Sequence, residues 1–151
     1  MIRDLSAWIE QHAASSPDRI AIRFEGTEIS YRALYARIQS AAGFFHNTHG
    51  IGRGDRVAYL GFNTPECVIA LFACAKLGAV YLPLNWRLAL PELDHVLGHA
   101  EPKVLIADSP HREAAVGLVT GRSECTLIDC ANVVSASADS NAVLMESNFG
   151  G

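Results

Sequence analysis

The chain has 151 residues, half of them apolar and 19% charged, which is enough for one domain of ordinary size around one well-filled core. That composition excludes intrinsic disorder and collagen-like repeats. A formal charge of −4, from 12 basic against 16 acidic residues with no basic stripe, leaves a nucleic-acid partner without electrostatic support.

Taken in chain order, Leu5, Trp8, Ile9 and His12 fall at i, i+3, i+4 and i+7 and predict a short amphipathic helix, broken by Ser15, Ser16 and Pro17. Residues 20–24 and 27–29, joined by Glu25-Gly26, read as a small hairpin. Ser30 is placed to cap the next helix, whose stripe is Tyr31, Leu34, Ile38, Ala41 and Phe45. The stretch 47–54 carries three glycines and ends that helix. Residues 56–60 read as a buried strand. Thr64 can cap the following helix and Pro65 suits its first position. That helix, 66–77, is apolar on nearly every side and so is expected to be among the most buried elements, packed between two layers. Gly78 stops it. A strand over 79–84 ends at Pro83, and Pro91 opens a helix with stripe Leu93, Val96, Leu97 and Ala100. Residues 104–107 are a strand, Ser109-Pro110 starts a helix, and 126–129 are a further short strand.

Strands alternating with helices of this length make βαβ units. The expected fold class is therefore α/β, a mostly parallel sheet with helices on both faces plus the small N-terminal hairpin. The expected organisation is an α/β subdomain over 1–130 and a linker or loosely ordered tail over 131–151, where Ser and Ala dominate.

No segment reaches the ~18 apolar residues of a membrane span, and charges interrupt the apolar run at the start, so neither a span nor a signal peptide is expected. A cytoplasmic protein with buried, reduced thiols follows. Cys67 and Cys74 are seven apart in one helix and cannot reach each other, and no Cys-x-x-Cys occurs.

Most candidate motifs reduce to structure. Gly50-Ile-Gly-Arg-Gly54 has the wrong spacing for a phosphate loop and precedes a strand, so it reads as a strand-entry loop. His95 and His99 share a helix face, but Val96 follows His95 where a zinc-peptidase helix carries Glu, and both point away from the apolar stripe. No metal site is expected. Asp108 ends a strand, where it can cap the helix that follows.

Several segments in order carry a resemblance. Ile29-Ser-Tyr-Arg-Ala-Leu34 resembles the first core motif of the adenylate-forming superfamily, which includes acyl-CoA synthetases, aryl-CoA ligases, luciferases and peptide-synthetase adenylation domains. Cys74-Ala-Lys-Leu-Gly-Ala-Val-Tyr-Leu-Pro-Leu84 resembles the second. Residues 50–60 and Asn63-Thr-Pro-Glu66 look like the connecting segments, and Asn85-Trp-Arg-Leu88 and Pro91-Glu-Leu93 like the loop and helix that follow. Two positions depart from the pattern: Ala33 stands where an acid usually completes a capping box, and Leu90 where a Ser or Thr usually opens the Pro91 helix.

The resemblance implies the N-terminal part of an ATP-dependent acid–CoA ligase, which makes an acyl-adenylate and then a thioester. ATP, Mg2+ and CoA would serve the full-length enzyme, and a small fatty or aryl carboxylic acid would be its substrate. The family's Lys-bearing phosphate loop, adenine motif, ribose-binding Asp and C-terminal catalytic Lys lie downstream, so this chain alone is expected to be inactive and to bind no cofactor. It is expected to dock on the remainder of the ligase, and it could form a homo-oligomer. The alternatives are a truncated scaffold without activity and, within the family, an amino-acid adenylation domain. The one site the resemblance places inside the chain is the loop after Pro83. There Arg87 would touch a CoA phosphate, while Asn85 serves as a contact or, more simply, as a turn-former. The competing reading pairs Arg87 with Glu92 and uses Trp86 to cover core.

Overall fold

Small polar residues and glycines punctuate this sequence, and they fall at element ends in the computed structural model, which describes residues 4–134. Helix α1 (Ser6–Ser15) leads into the hairpin of β1 (Ile20–Phe24) and β2 (Thr27–Ser30). The strands are antiparallel, and Glu25 and Gly26 turn between them with positive φ. Helix α2 (Tyr31–His49) starts at Ser30, whose hydroxyl accepts from the Ala33 N–H at 3.2 Å, and stops at a left-handed Gly50. Strand β3 (Arg56–Leu60) precedes α3 (Pro65–Leu77), which Thr64 caps by accepting from the Cys67 N–H.

Four strands make the main sheet: β3, β4 (Val80–Pro83), β5 (Val104–Ala107) and β6 (Thr126–Asp129), in the order β4-β3-β5-β6 and all parallel. Helix α4 (Leu90–Ala100) joins β4 to β5. A single 3-10 turn (Ser109–His111) and α5 (Arg112–Val119) join β5 to β6.

Side chains alternate across the central strands, so each contributes to two cores. Val57, Tyr59, Val104 and Ile106 face a larger core shared with α1, α2 and α3, where Leu34, Ile38 and Phe45 are buried. Ala58, Leu60, Leu105 and Ala107 face a smaller core closed by Leu93 and Leu97 of α4 and by Ala115 and Leu118 of α5. Helices cover both faces, as the alternation of elements predicts.

Three expectations change in detail. Helix α3 is buried along one stripe (Ile69, Ala70, Ala73, Cys74) and not all round, because α2 and the sheet cover only that side and Leu71 stays 36% exposed. In α1 the apolar stripe does not face inward as a unit. Ile9 and Ser6 are buried, while Leu5 and Trp8 are exposed, and the Trp8 ring meets His12 edge-on at 5.1 Å. The cap position of α4 is Ala89, not Leu90, and no side chain caps it.

The strand-entry loop is what its spacing predicts. Asp55 accepts from the Gly52 N–H at 2.8 Å, and Lys103 reaches both the Gly50 carbonyl at 2.9 Å and the Asp55 carboxylate at 3.5 Å. Those contacts hold the Asp55 carboxyl below its ordinary value, chiefly through the Gly52 N–H. Residues 130–134 continue from β6 as helix, and Val133 is buried in the larger core. The remainder of the tail expected from 131 lies outside the described residues. Among the described residues, no helix is long and apolar enough to cross a membrane.

Candidate functional site

In an open parallel sheet the connections after two neighbouring strands can run to opposite faces, and the crevice at that point is where ligands bind. Here the chain leaving β3 goes to α3 on the larger-core face. The chain leaving β5 goes to α5 on the other. The switch point therefore lies between the carboxyl ends of β3 and β5, at Gly61-Phe62 and Asp108.

Asp108 fills that crevice. It is 8% exposed, and each carboxylate oxygen has a donor. Oδ2 accepts from the Phe62 N–H at 2.8 Å, and Oδ1 accepts from the His111 N–H at 3.0 Å, capping the 3-10 turn as the sequence predicts. Oδ1 also lies 2.6 Å from the His111 Nδ1. The carboxylate comes so close to β3 that only glycine fits at 61. A Cβ there would sit 2.7 Å from the Asp108 carboxyl and 2.9 Å from the Tyr59 hydroxyl. Among the described residues, no group of three or more His, Cys, Asp or Glu could hold a metal ion, so the described residues do not fit a Mg2+ site.

Above the crevice sits a cluster of three rings. Phe62 packs edge-on to Trp86 at 5.0 Å and to His111 at 4.8 Å, and Trp86 lies tilted to His111 at 5.6 Å. Phe62 is 43% exposed and Trp86 38%, so Trp86 does not serve as a core cover. It belongs to the loop that leaves β4, where the Asn85 Oδ1 accepts from the Arg87 N–H at 3.1 Å. That is the side-chain turn its residue type favours, and it leaves Asn85 a turn-former. Arg87 is exposed, with its guanidinium 4.8 Å from the Trp86 ring centre. Among the described residues it has no ion pair, with Glu92 or any other acid.

Next to this rim, Arg112 pairs with Asp129 at the end of β6. Ser109, Cys130 and Asn132 line the same shallow cleft. Beneath the rim, the Tyr59 hydroxyl donates to the Phe62 carbonyl at 2.7 Å. Burial raises Tyr59 and pushes the Cys130 thiol up to about 11. Cys67 lies 3.0 Å from the Tyr81 hydroxyl. All four cysteines are free; Cys74 and Cys130 are buried as expected, whereas Cys67 and Cys125 are only partly buried. His95 and His99 are exposed on α4.

The sequence therefore points to the loop Asn85-Trp86-Arg87 but misses Phe62 and His111 as its neighbours. The available signal was positional, since both follow the end of a parallel strand.

Residues 9–148 match the family model described as AMP-binding enzyme. The chain belongs to that family. Among AMP-binding relatives, it is 43% identical over 105 residues to an indoleacetate–CoA ligase of Aromatoleum aromaticum, covering 70% of this chain and 20% of the relative. It is 42% identical over 118 residues to a feruloyl-CoA synthase of Amycolatopsis, covering 78% of this chain and 24% of that one. It thus spans about a fifth to a quarter of these relatives. Among solved structures, the N-terminal domain of FACL13 from Mycobacterium tuberculosis superposes with a TM-score of 0.80 at 26% identity, covering 91% of this chain and 36% of that one. A Mycobacterium tuberculosis fatty acyl CoA synthetase gives the same TM-score and identity, covering 89% of this chain and 28% of that one.

Proposed function

We propose that this chain is the N-terminal part of an ATP-dependent, AMP-forming acid–CoA ligase, and that its loop 85–87 receives CoA. Membership of the AMP-binding family and relatives named for indoleacetate and ferulate support a carboxylic-acid substrate, with an aryl acid favoured over an amino acid. The observation that carries the CoA assignment is Arg87: an exposed guanidinium, stacked on Trp86 and without an acid partner among the described residues, at the carboxyl end of a parallel strand. Its planar fork matches two phosphate oxygens, and the indole face holds it without neutralising it. Trp86 and Phe62 add exposed ring surface beside the charge, which suits a ligand with an anionic end and an apolar body. Asn85 sets the turn that presents Arg87 and makes no ligand contact in this reading.

Acyl-adenylate formation needs cationic groups around a triphosphate. Among the described residues, Arg87 is the cation at this rim without an acid partner, since Arg112 is paired to Asp129. In this reading ATP and Mg2+ are therefore held by the remainder of the ligase, and the chain alone is inactive.

In the full-length ligase, Arg87→Ala is expected to raise the KM for CoA several-fold. The adenylation half-reaction, followed by ATP–pyrophosphate exchange, is expected to stay within twofold of the parent. An equal fall in both half-reactions would make the loop structural and remove the CoA assignment.

A further inference from the structure

The loop carrying Trp86 and Arg87 leaves the edge strand β4 and is exposed over its three residues, 85–87. Within itself it is held by the Asn85 turn, which fixes the backbone but not the Trp86 ring. What touches that ring from elsewhere in the fold is Phe62 after β3 and His111 after β5. His111 is itself held tightly. Its backbone N–H and its Nδ1 both meet the Asp108 Oδ1, and its side chain is only 15% exposed. A carboxylate can only accept, so the imidazole keeps its proton on Nδ1 and its plane is fixed. Asp108 also holds Phe62 through the backbone N–H. One buried carboxylate thus holds the His111 ring directly and the Phe62 backbone beside it, both residues meet Trp86, and Trp86 in turn carries the Arg87 guanidinium.

We propose that Asp108 and His111 are positioning residues that hold the Trp86–Arg87 loop in its receiving geometry. This rests on the reading of Arg87 above for its consequence in CoA binding, but not for the positioning itself. Neither residue touches the ligand. Asp108 orients His111, the His111 ring supports Trp86, and Trp86 sets the guanidinium. The chemical requirement is a rigid rim at a place where the backbone is exposed, and a fixed ring supplies it where a flexible side chain would not.

Two tryptophans occur in the chain, so Trp8→Phe leaves Trp86 as the sole reporter. In that background His111→Gln, which removes the ring while keeping a polar side chain of similar length, is expected to raise acrylamide quenching of Trp86 at least twofold with the far-ultraviolet circular dichroism retained. Asp108→Asn is expected to move quenching in the same direction. Unchanged quenching in a folded His111→Gln protein would overturn the proposal. Should that variant fail to fold, His111→Phe refills the ring volume without a side-chain donor to Asp108. A rise in quenching above the Trp8→Phe parent would support orientation by the carboxylate, and an unchanged value would overturn it. In the full-length ligase, His111→Gln is expected to raise the KM for CoA several-fold with kcat at saturating CoA retained, and a matched fall in kcat would overturn the positioning role. If Arg87→Ala leaves the KM for CoA untouched while His111→Gln still loosens Trp86, the CoA reading falls and the positioning stands.

Discussion

Two single positions show how closely local chemistry is matched to this backbone. At Gly61 the constraint is space, because the Asp108 carboxyl and the Tyr59 hydroxyl occupy the volume a methyl group would need. Both neighbours are tied by hydrogen bonds to the Phe62 backbone, so neither can move aside without breaking one. Gly61→Ala is expected to destabilise the fold by about 1–3 kcal/mol, the usual cost of overpacking. A urea midpoint equal to the parent's would show that the crevice can open. At Ala89 the opposite holds. The residue has the extended conformation of a helix cap (φ −68°, ψ 154°) but no side-chain acceptor, so the first amides of α4 lack one. Ala89→Ser supplies it and is expected to stabilise by about 0.5–1 kcal/mol, read as a rise in melting temperature. Ser30 already does this work for α2 with the same geometry.

Among the elements, legibility followed locality. The Ser30 and Thr64 caps, the left-handed Gly50 and Gly78, the hairpin and every strand of the sheet were readable because neighbouring residues decide them. What failed was the step from pattern to neighbour. The stripe of α1 has the right period, yet Ile9 and Ser6 are the residues buried while Trp8 stays exposed beside His12, whose ring stacks on Tyr31 of α2. The all-round apolarity of α3 says nothing of which side is covered. The ring cluster at the rim joins residues from three separate loops, and no spacing along one chain segment encodes that meeting. Packing between elements also governs their titration. Burial pushes the Cys74 thiol of α3 up to about 12 and Cys130 up to about 11, from an ordinary value of 9.0. Their neutral forms are favoured in the fold, so this contribution is complete below pH ~9 and is lost as pH rises through 11 and 12. Between those limits each thiol takes away at most about 1.4 kcal/mol per pH unit. Urea midpoints are expected to be level from pH 7 to 8.5 and to fall from pH 9 to 11. A level profile through pH 10.5 would mean that water reaches both sulfurs.

For the molecule as a whole, an α/β unit with two cores carries an aromatic rim at the carboxyl ends of its parallel strands. Under the proposed function its exposed cation and rings receive one end of a ligand and do not supply the triphosphate chemistry. The 151-residue chain is expected to show no ATP–pyrophosphate exchange with any carboxylic acid and no ATP-induced rise in melting temperature. Exchange above the blank would place the nucleotide site within it.

The strand order carries a last consequence, for the route by which the fold is reached. Arg56 pairs with Val80, and Val104 with Thr126, so β3-α3-β4 and β5-α5-β6 each close over a short span of chain. Val57 pairs with Val104 across about twice that span, and closing a loop of doubled length costs about 0.6 kcal/mol more. Two local units therefore form at lower entropic cost than the junction that joins them. The Asp108 carboxylate spans that same junction, binding Phe62 on one unit while belonging to the other. Its bond to the Phe62 N–H can form only after the two halves have docked, which makes the receiving rim among the last features to mature and ties its shape to completion of the sheet.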